Sequence, residues 1–322
     1  MKNVFFIVLL FITAPSLLIA QDKEEETGPK EGWSRAGKVS LLFNQAAFNH
    51  EWTGGGASNV AGNLSVSFDM NYRKGKISWD NKLIADYGLT KLKDDEFTRK
   101  TNDRFELNSL VGKQIKESNW FFSFFLNFKT QMDSGYEDKK IPLLDNSGQP
   151  IVINGVTLTE TTQEKTTHFF SPAYLQVGPG LLWKKSDDLK LNIAPLTSKI
   201  IFVHDEFTNV GTDPALISAF NNAGGYFGVE ANETSRYELG ASLSGYAKLE
   251  LMKNITMENT LNLYSNYLED PQNVDVDYTM NLAMTVNSYI TANIAFQAIY
   301  DDNAVQGFQI REALGVGVAY AF

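Results

Sequence analysis

From about residue 38 onward the chain alternates between apolar and polar side chains with a period of two, run after run, almost to its end. Alternate residues of an extended strand point to opposite faces, so each run describes a strand with one apolar and one polar face. The clearest run sets Val60, Leu64, Val66, Phe68, Met70 and Tyr72 against Ser65, Ser67, Asp69 and Asn71. A tight turn at "RKGK", Arg73 to Lys76, leads into Ile77, Trp79, Leu83, Tyr87 and Leu89, with Ser78, Asp80, Lys82 and Asp86 opposite. Together they predict a hairpin whose apolar faces join. The final run, "LGVGVAYAF", alternates large apolar residues with glycine and alanine, so one face is bulky and the other nearly bare.

Nine further runs complete the count at twelve. They start near Val39, at Phe105, at Trp120, at Ala173, at Leu189, at Leu239, at Ile255, at Val274 and at Ile290, with the last run closing the set. Pro195 interrupts the run from Leu189 and leaves its upper half open. Loop lengths supply a second pattern. Connections after even-numbered runs are short, as at Arg73 to Lys76 and Met252 to Asn254, whereas those after odd-numbered runs are mostly long, as at Gln131 to His168 and His204 to Arg236. A soluble sandwich alternates faces too, but has no reason to sort its loops by parity. An outer-membrane barrel does, with short periplasmic turns and long outer loops. The expected fold is therefore an all-β transmembrane antiparallel barrel of about 12 strands over residues 38–322, located in the bacterial outer membrane. Its bulky faces meet hydrocarbon, and Tyr320 and Phe322 sit at the periplasmic interface.

Two segments precede it. Residues 1–20, with Lys2, an apolar stretch from Val4 and Ala20 before Gln21, have the layout of a secretory signal peptide. A signal-anchor helix is the alternative, weakened by Pro15. Residues 21–37, "QDKEEETGPKEGWSRAG", read as a flexible periplasmic leader.

Composition agrees with this picture. Aromatic residues make up 12%, yet the mean hydropathy is −0.22, a pairing that alternation reconciles. The net charge of −10 argues against a nucleic-acid binder, which needs cationic surface to neutralise phosphates. With no cysteine, an exported chain has no disulfide to stabilise it.

A family resemblance accompanies these patterns. The stretches "NQAAFNHEWTGGGASNVAGNLSVSFDMNYRKGKISWDNKLIADYGLTK", "FFSPAYLQVGPGLLWK", "IAPLTSKIIFV" and "LYSNYLEDPQNVDVDY", together with "LGVGVAYAF", resemble an outer-membrane β-barrel family of Bacteroidetes catalogued as a domain of unknown function. The resemblance covers nearly the whole mature chain and implies a barrel in the outer membrane, with no activity attached. A departure is "IPLLDNSGQPIVINGVTLTE", residues 141–160, which looks like an added hairpin above the membrane. A C-terminal Phe322, with Tyr320, also looks like the signal read by the outer-membrane assembly machinery.

Chemistry-bearing residues are sparse. The three histidines, His50, His168 and His204, fall at strand ends or in outer loops. Asp94 and Asp95, with His204 and Asp205, resemble in type the pairs of surface barrel proteases, but loop composition alone explains them, and no catalytic activity, cofactor or metal is expected. An acidic group, Glu269, Asp270, Asp275, Asp277, Asp301 and Asp302, comes from two neighbouring outer connections. Oxygen-rich clusters suit Ca²⁺, yet no Gly-punctuated calcium loop is present, and a solvated acidic rim is the favoured reading. "TGGGASN", residues 53–59, has no helix after it and reads as a turn. By register, Asp69, Asp80, Lys82, Asp86, Arg104, Glu106, Lys129 and Glu258 point into the lumen. Mixed charges there either cross-link into a plug or line a narrow aqueous path. The expected role is an accessory or anchoring subunit of an envelope assembly or secretion complex. The alternative is a narrow channel for small polar solutes, with a surface enzyme a distant third. Expected partners are lipid and lipopolysaccharide, the assembly machinery during insertion, and subunits of such a complex.

Overall fold

The computed structural model describes residues 31–49, 57–93, 95–301 and 305–322, with backbone only at 305 and 306. The expected signal peptide, most of the expected leader, and His50, Asp94 and Asp302 lie outside the described residues. Gly32–Phe322 forms one compact unit.

Twelve strands form a closed antiparallel barrel: β1 (Gly32–Ala46), β2 (Asn59–Lys74), β3 (Ile77–Leu92), β4 (Arg99–Gln114), β5 (Trp120–Thr130), β10 (Ala173–Ser186), β11 (Leu189–Phe202), β12 (Ser235–Met252), β13 (Ile255–Asn266), β14 (Asp275–Thr285), β15 (Ile290–Asp301) and β16 (Val305–Ala321). Each strand pairs with its sequence neighbour except across one insertion, where β5 pairs with β10. The shortest of them have 11 residues, enough for a tilted strand to cross the hydrocarbon core, which takes about 9–11. Closure leaves no strand edge in lipid, where each unpaired backbone group would cost several kcal/mol.

The outer wall is apolar. Leu64, Phe122, Phe124, Ile193, Leu314, Val316 and Val318 all present their side chains outward and exposed. In a soluble protein such a surface would be an aggregation hazard; around a closed barrel it is the membrane-facing band, and this protein is an outer-membrane barrel. Trp33 packs against Tyr72 and Trp79, with ring centroids 5.1 and 5.6 Å apart, at the end of the barrel where the short turns gather. That is the position of an interfacial aromatic girdle. Gly75 makes the first of these turns with φ 52°, a backbone conformation glycine adopts without strain.

The seam between first and last strands is short. It runs from Lys38 opposite Ala321 to Phe43 opposite Val316, with Gly37 and Phe322 exchanging backbone hydrogen bonds beyond it. By contrast β1 follows β2 from Gly32 opposite Arg73 to Ala46 opposite Asn59. A side chain at Gly317 would fall on the Leu41 carbonyl, so the bare face of "LGVGVAYAF" is what lets the two strands close.

Three expectations change. β1 begins at Gly32, so residues 32–37 belong to the barrel and not to the leader; their pairing with β2 holds them. The run from Leu189 continues through Pro195 to Phe202, because the proline sits in a β-bulge between Ala194 and Thr197, where no ladder hydrogen bond is lost. The added hairpin is also larger than residues 141–160. It is formed by β6 (Gly135–Pro142) against β9 (Thr159–Thr167), with a tip of β7 (Val152–Ile153) against β8 (Val156–Thr157). The long connection after β11 contains a 3-10 turn, Asp205–Phe207, and a helix, α1 (Pro214–Asn222), neither of which alternation reveals. Asp213 caps α1 by accepting from Ala215 N at 2.9 Å, with Pro214 in its first turn.

Candidate functional site

Two regions carry the polar chemistry: the barrel lumen and a cap of outer loops. In the lumen, ion pairs join neighbouring strands and, at three levels, strands that are not neighbours in the wall. At the end with the short turns, Asp80 of β3 is met by three cations, with Arg73 Nη2 at 2.5 Å, Lys184 Nζ at 2.8 Å and Lys190 Nζ at 3.4 Å. Lys184 and Lys190 come from β10 and β11, across the interior. Lys190 also lies over the Tyr246 ring, as does Lys82, at 5.4 and 5.8 Å. Arg73 and Lys184 share a second acid, Asp187, in the turn after β10, at 2.7 and 2.6 Å. Burial pushes the Asp187 carboxyl up, but Lys184 and then Arg73 outweigh this and hold it at about 2. Lys82 stands 3.7 Å from Asp69, and Lys248 4.0 Å from Glu258, both loose pairs on the same inner face.

Midway along the barrel, Arg104 grips Asp86 through Nη2 at 2.7 Å and Nε at 3.1 Å, and reaches Glu106 at 3.5 Å. Asn108 and Asn127 donate to Glu106, and Ser65 to Asp86. Beside them Lys129 of β5 meets Asp277 of β14 at 2.9 Å, with Gln297 donating to the other carboxylate oxygen at 3.0 Å. β5 and β14 lie on opposite walls, with β10, β11, β12 and β13 between them on the shorter way round, so this bond spans the lumen. Nearer the outer mouth Lys199 lies between Glu238 and Asp275, each at 3.2 Å, and over the Tyr264 ring at 4.7 Å. Arg236 completes the group, 3.1 Å from Glu238 and bonded to Glu269. Lys199 and Glu238 are 5% and 2% exposed, too buried for either charge to persist unpaired.

The structure divides most of the described members of the acidic group expected at the rim among separate partners. Asp275 and Asp277 lie in β14 facing inward, each held by a lysine, and Glu269 is taken by Arg236. Asp270 stays in the loop, in a left-handed backbone conformation, accepting from Gln272 Nε2 at 3.2 Å. Asp301 ends β15. Carboxylates neutralised by lysines on separate walls do not make a calcium cradle. Asp95, the described half of the expected acidic pair, is 3.0 Å from Arg99, which also bonds Asp138 of the inserted hairpin at 3.0 Å. Tyr320 and Phe322 stack outward at the end of β16, 6.0 Å apart.

Lys184, Lys190, Lys199, Arg236 and Glu238 were not singled out in the sequence. Glu238 and Arg236 share the polar parity of their run and were legible there. Lys199 was not: inward residues are even-numbered before the bulge, as in Asn192 and Ala194, and odd-numbered after it, as in Thr197, Lys199 and Ile201.

At the outer mouth, the cap and the ends of β10 and β11 share a small core. Ile201, Val203 and Val229 pack with Tyr174, Tyr226 and Phe227. Tyr226 stacks on Phe207 at 4.7 Å and donates to the Thr166 carbonyl at 2.6 Å; burial pushes its hydroxyl up to about 12 and keeps the donor protonated. His168 and His204 meet here, ring centroids 4.8 Å apart, beside Glu206, whose carboxyl Lys165 holds below its ordinary value.

Residues 43–136 match the profile of a family described as "Protein of unknown function (DUF3078)". The match runs from within β1 into β6. No curated protein is similar in sequence. Among solved structures the chain is similar to the translocator domain of autotransporter NalP from Neisseria meningitidis, at 9% identity and a TM-score of 0.37, covering 99% of this chain and 96% of that one. It is similar also to the COG4313 outer membrane channel from Pseudomonas putida F1, at 8% identity and TM-score 0.36, over 94% and 98%. A third is the NanC porin, at 9% and 0.36, over 88% and 98%. Scores of this size argue nothing about activity, and the barrel assignment stands on the chain's own closed sheet and apolar wall.

Proposed function

We propose that the barrel is a non-catalytic anchor, an accessory subunit of an envelope assembly or secretion complex, whose working surface is its outer cap. The observation that carries this reading is the bond from Lys129 to Asp277 across the lumen, flanked by ionic groups toward each mouth. A barrel cross-braced at three levels is built to hold its shape, and the ordered cap offers a surface for partners. On this reading its other contacts are lipid and lipopolysaccharide around the wall and, during insertion, the assembly machinery through Tyr320 and Phe322. Mild-detergent extraction from native outer membranes, with crosslinking, tests it: envelope components should co-migrate in fixed ratio, and a chain that runs alone would sink the reading.

A second reading, a narrow channel for small polar solutes, draws on a different observation. Charged groups line the inner wall at both ends, with cations around Asp80 at one and carboxylates around Lys199 at the other. Planar-bilayer recording separates the two: steady single-channel conductance from the unmodified protein favours the channel, and silence favours the anchor.

A further inference from the structure

We propose that His168, His204 and Glu206 form an extracellular site for a divalent transition metal of the Zn²⁺ class, one that clamps the two long outer connections together. Their ligand atoms all lie within 4.8 Å of one another. Two imidazoles and a carboxylate are a zinc ligand set, and tetrahedral bonds of about 2.0–2.2 Å would bring such atoms to about 3.3 Å apart. One pair is already closer, with His168 Nε2 3.0 Å from Glu206 Oε1.

The tautomers point the same way. His168 Nδ1 is 2.5 Å from the Phe169 carbonyl, which can only accept, so Nδ1 carries the proton. In the neutral ring, Nε2 then turns a lone pair toward the Glu206 carboxylate, an arrangement that calls for a cation between them. A second proton would satisfy that one pair; a metal ion would use all three groups. His204 Nδ1 is 3.0 Å from Asp205 Oδ1, and the Glu206 amide also lies 3.2 Å from it. Unprotonated, that nitrogen caps the 3-10 turn. Protonated, it donates to Asp205 and leaves Nε2 free for metal, the carboxylate–histidine–metal arrangement that orients such ligands.

The scaffold is in place without the ion. His168 and Ser171 exchange backbone hydrogen bonds at 3.0 and 2.9 Å, and His204 N donates to Ser171 Oγ at 3.0 Å, with Ser171 fully buried. Lys165 opposes the metal, its ammonium 2.7 Å from Glu206 Oε1, and must withdraw when the ion enters. Glu206 and His204 face solvent, so a fourth position is open to water or to a side chain of a partner. The site stands apart from the lumen and does not depend on whether the barrel is anchor or channel.

The test uses the full chain in detergent, stripped with a chelator and titrated with Co²⁺ while its visible absorption is recorded, followed by Zn²⁺. One Co²⁺ should bind per chain with a d–d band that Zn²⁺ abolishes. His168→Ala and His204→Ala should each weaken binding at least about tenfold, and Asp205→Ala by about tenfold or more, with the barrel still folded by circular dichroism. Lys165→Gln should tighten binding several-fold. A folded wild-type chain with no saturable band overturns the proposal, as does equal binding by a folded His168→Ala/His204→Ala double variant. Unchanged affinity in a folded Glu206→Gln variant removes Glu206 from the ligand set and with it the three-group site.

Discussion

The two ends of the lumen invert each other. Toward the short turns, one carboxylate, Asp80, is ringed by Arg73, Lys184 and Lys190; toward the outer mouth, one ammonium, Lys199, is flanked by Glu238 and Asp275. The surroundings differ as well. Arg73 and Lys184 have a second acid in Asp187, and Lys190 has the face of Tyr246. Glu238 keeps Arg236, but Asp275 has Lys199 as the one cation within ion-pair distance among the described residues. Redundancy at one end and dependence at the other imply that equal-looking charge removals have unequal consequences.

The largest effect is expected from Lys199→Met. It leaves Glu238 and Asp275 facing each other in a buried site, and stability should fall by about 3–5 kcal/mol, read from urea unfolding in detergent or lipid. Next, Lys129→Ala and Asp277→Ala should be non-additive. A double-mutant cycle is expected to give a coupling of about 1–3 kcal/mol, and additivity would show that the bond across the lumen contributes nothing. Asp80→Asn should cost less, about 1–2 kcal/mol, because two of the three cations around Asp80, Arg73 and Lys184, still have Asp187. If it costs as much as Lys199→Met, the contrast between the ends is broken.

The smallest effect concerns pH. Asp187 has a carboxyl held at about 2 against an unfolded value of 3.8, so its contribution is complete above 3.8 and lost as pH falls toward 2. Its side chain is 65% exposed, so solvent screens most of that gain. Asp187→Asn should therefore leave neutral-pH stability nearly unchanged and flatten the acid limb between pH 3.8 and 2, and a flat wild-type limb there would remove Asp187 from the account.

Much of the wall was legible in the sequence because a pleated strand maps residue parity onto faces directly. Asp69, Asp80, Asp86 and Glu106 could be placed inside from their neighbours alone. What parity cannot show is who meets whom across the interior. That depends on the strand order and shear of the closed barrel, so Lys184 looked like a turn residue, Lys190 like one more polar strand position, and Asp275 and Asp277 like a rim. One bulge at Pro195 also reversed the count for Lys199. The cap was hidden for a different reason: α1 and the His168–His204 contact arise from loops packed on a small core, and loops have no period to read.

The sequence distance between lumen partners carries one more consequence, for biogenesis. Arg104 and Asp86 are 18 residues apart on adjoining strands, and can meet as soon as their hairpin exists. Lys184 and Asp80 are 104 apart, and Lys129 and Asp277 are 148 apart. These distant pairs cannot form until the sheet has curled round on itself. Until then their charges must stay hydrated, each pair shedding water only as its own two strands come to face one another. The braces are in that sense a chronometer: each one dates the moment at which its two walls arrived.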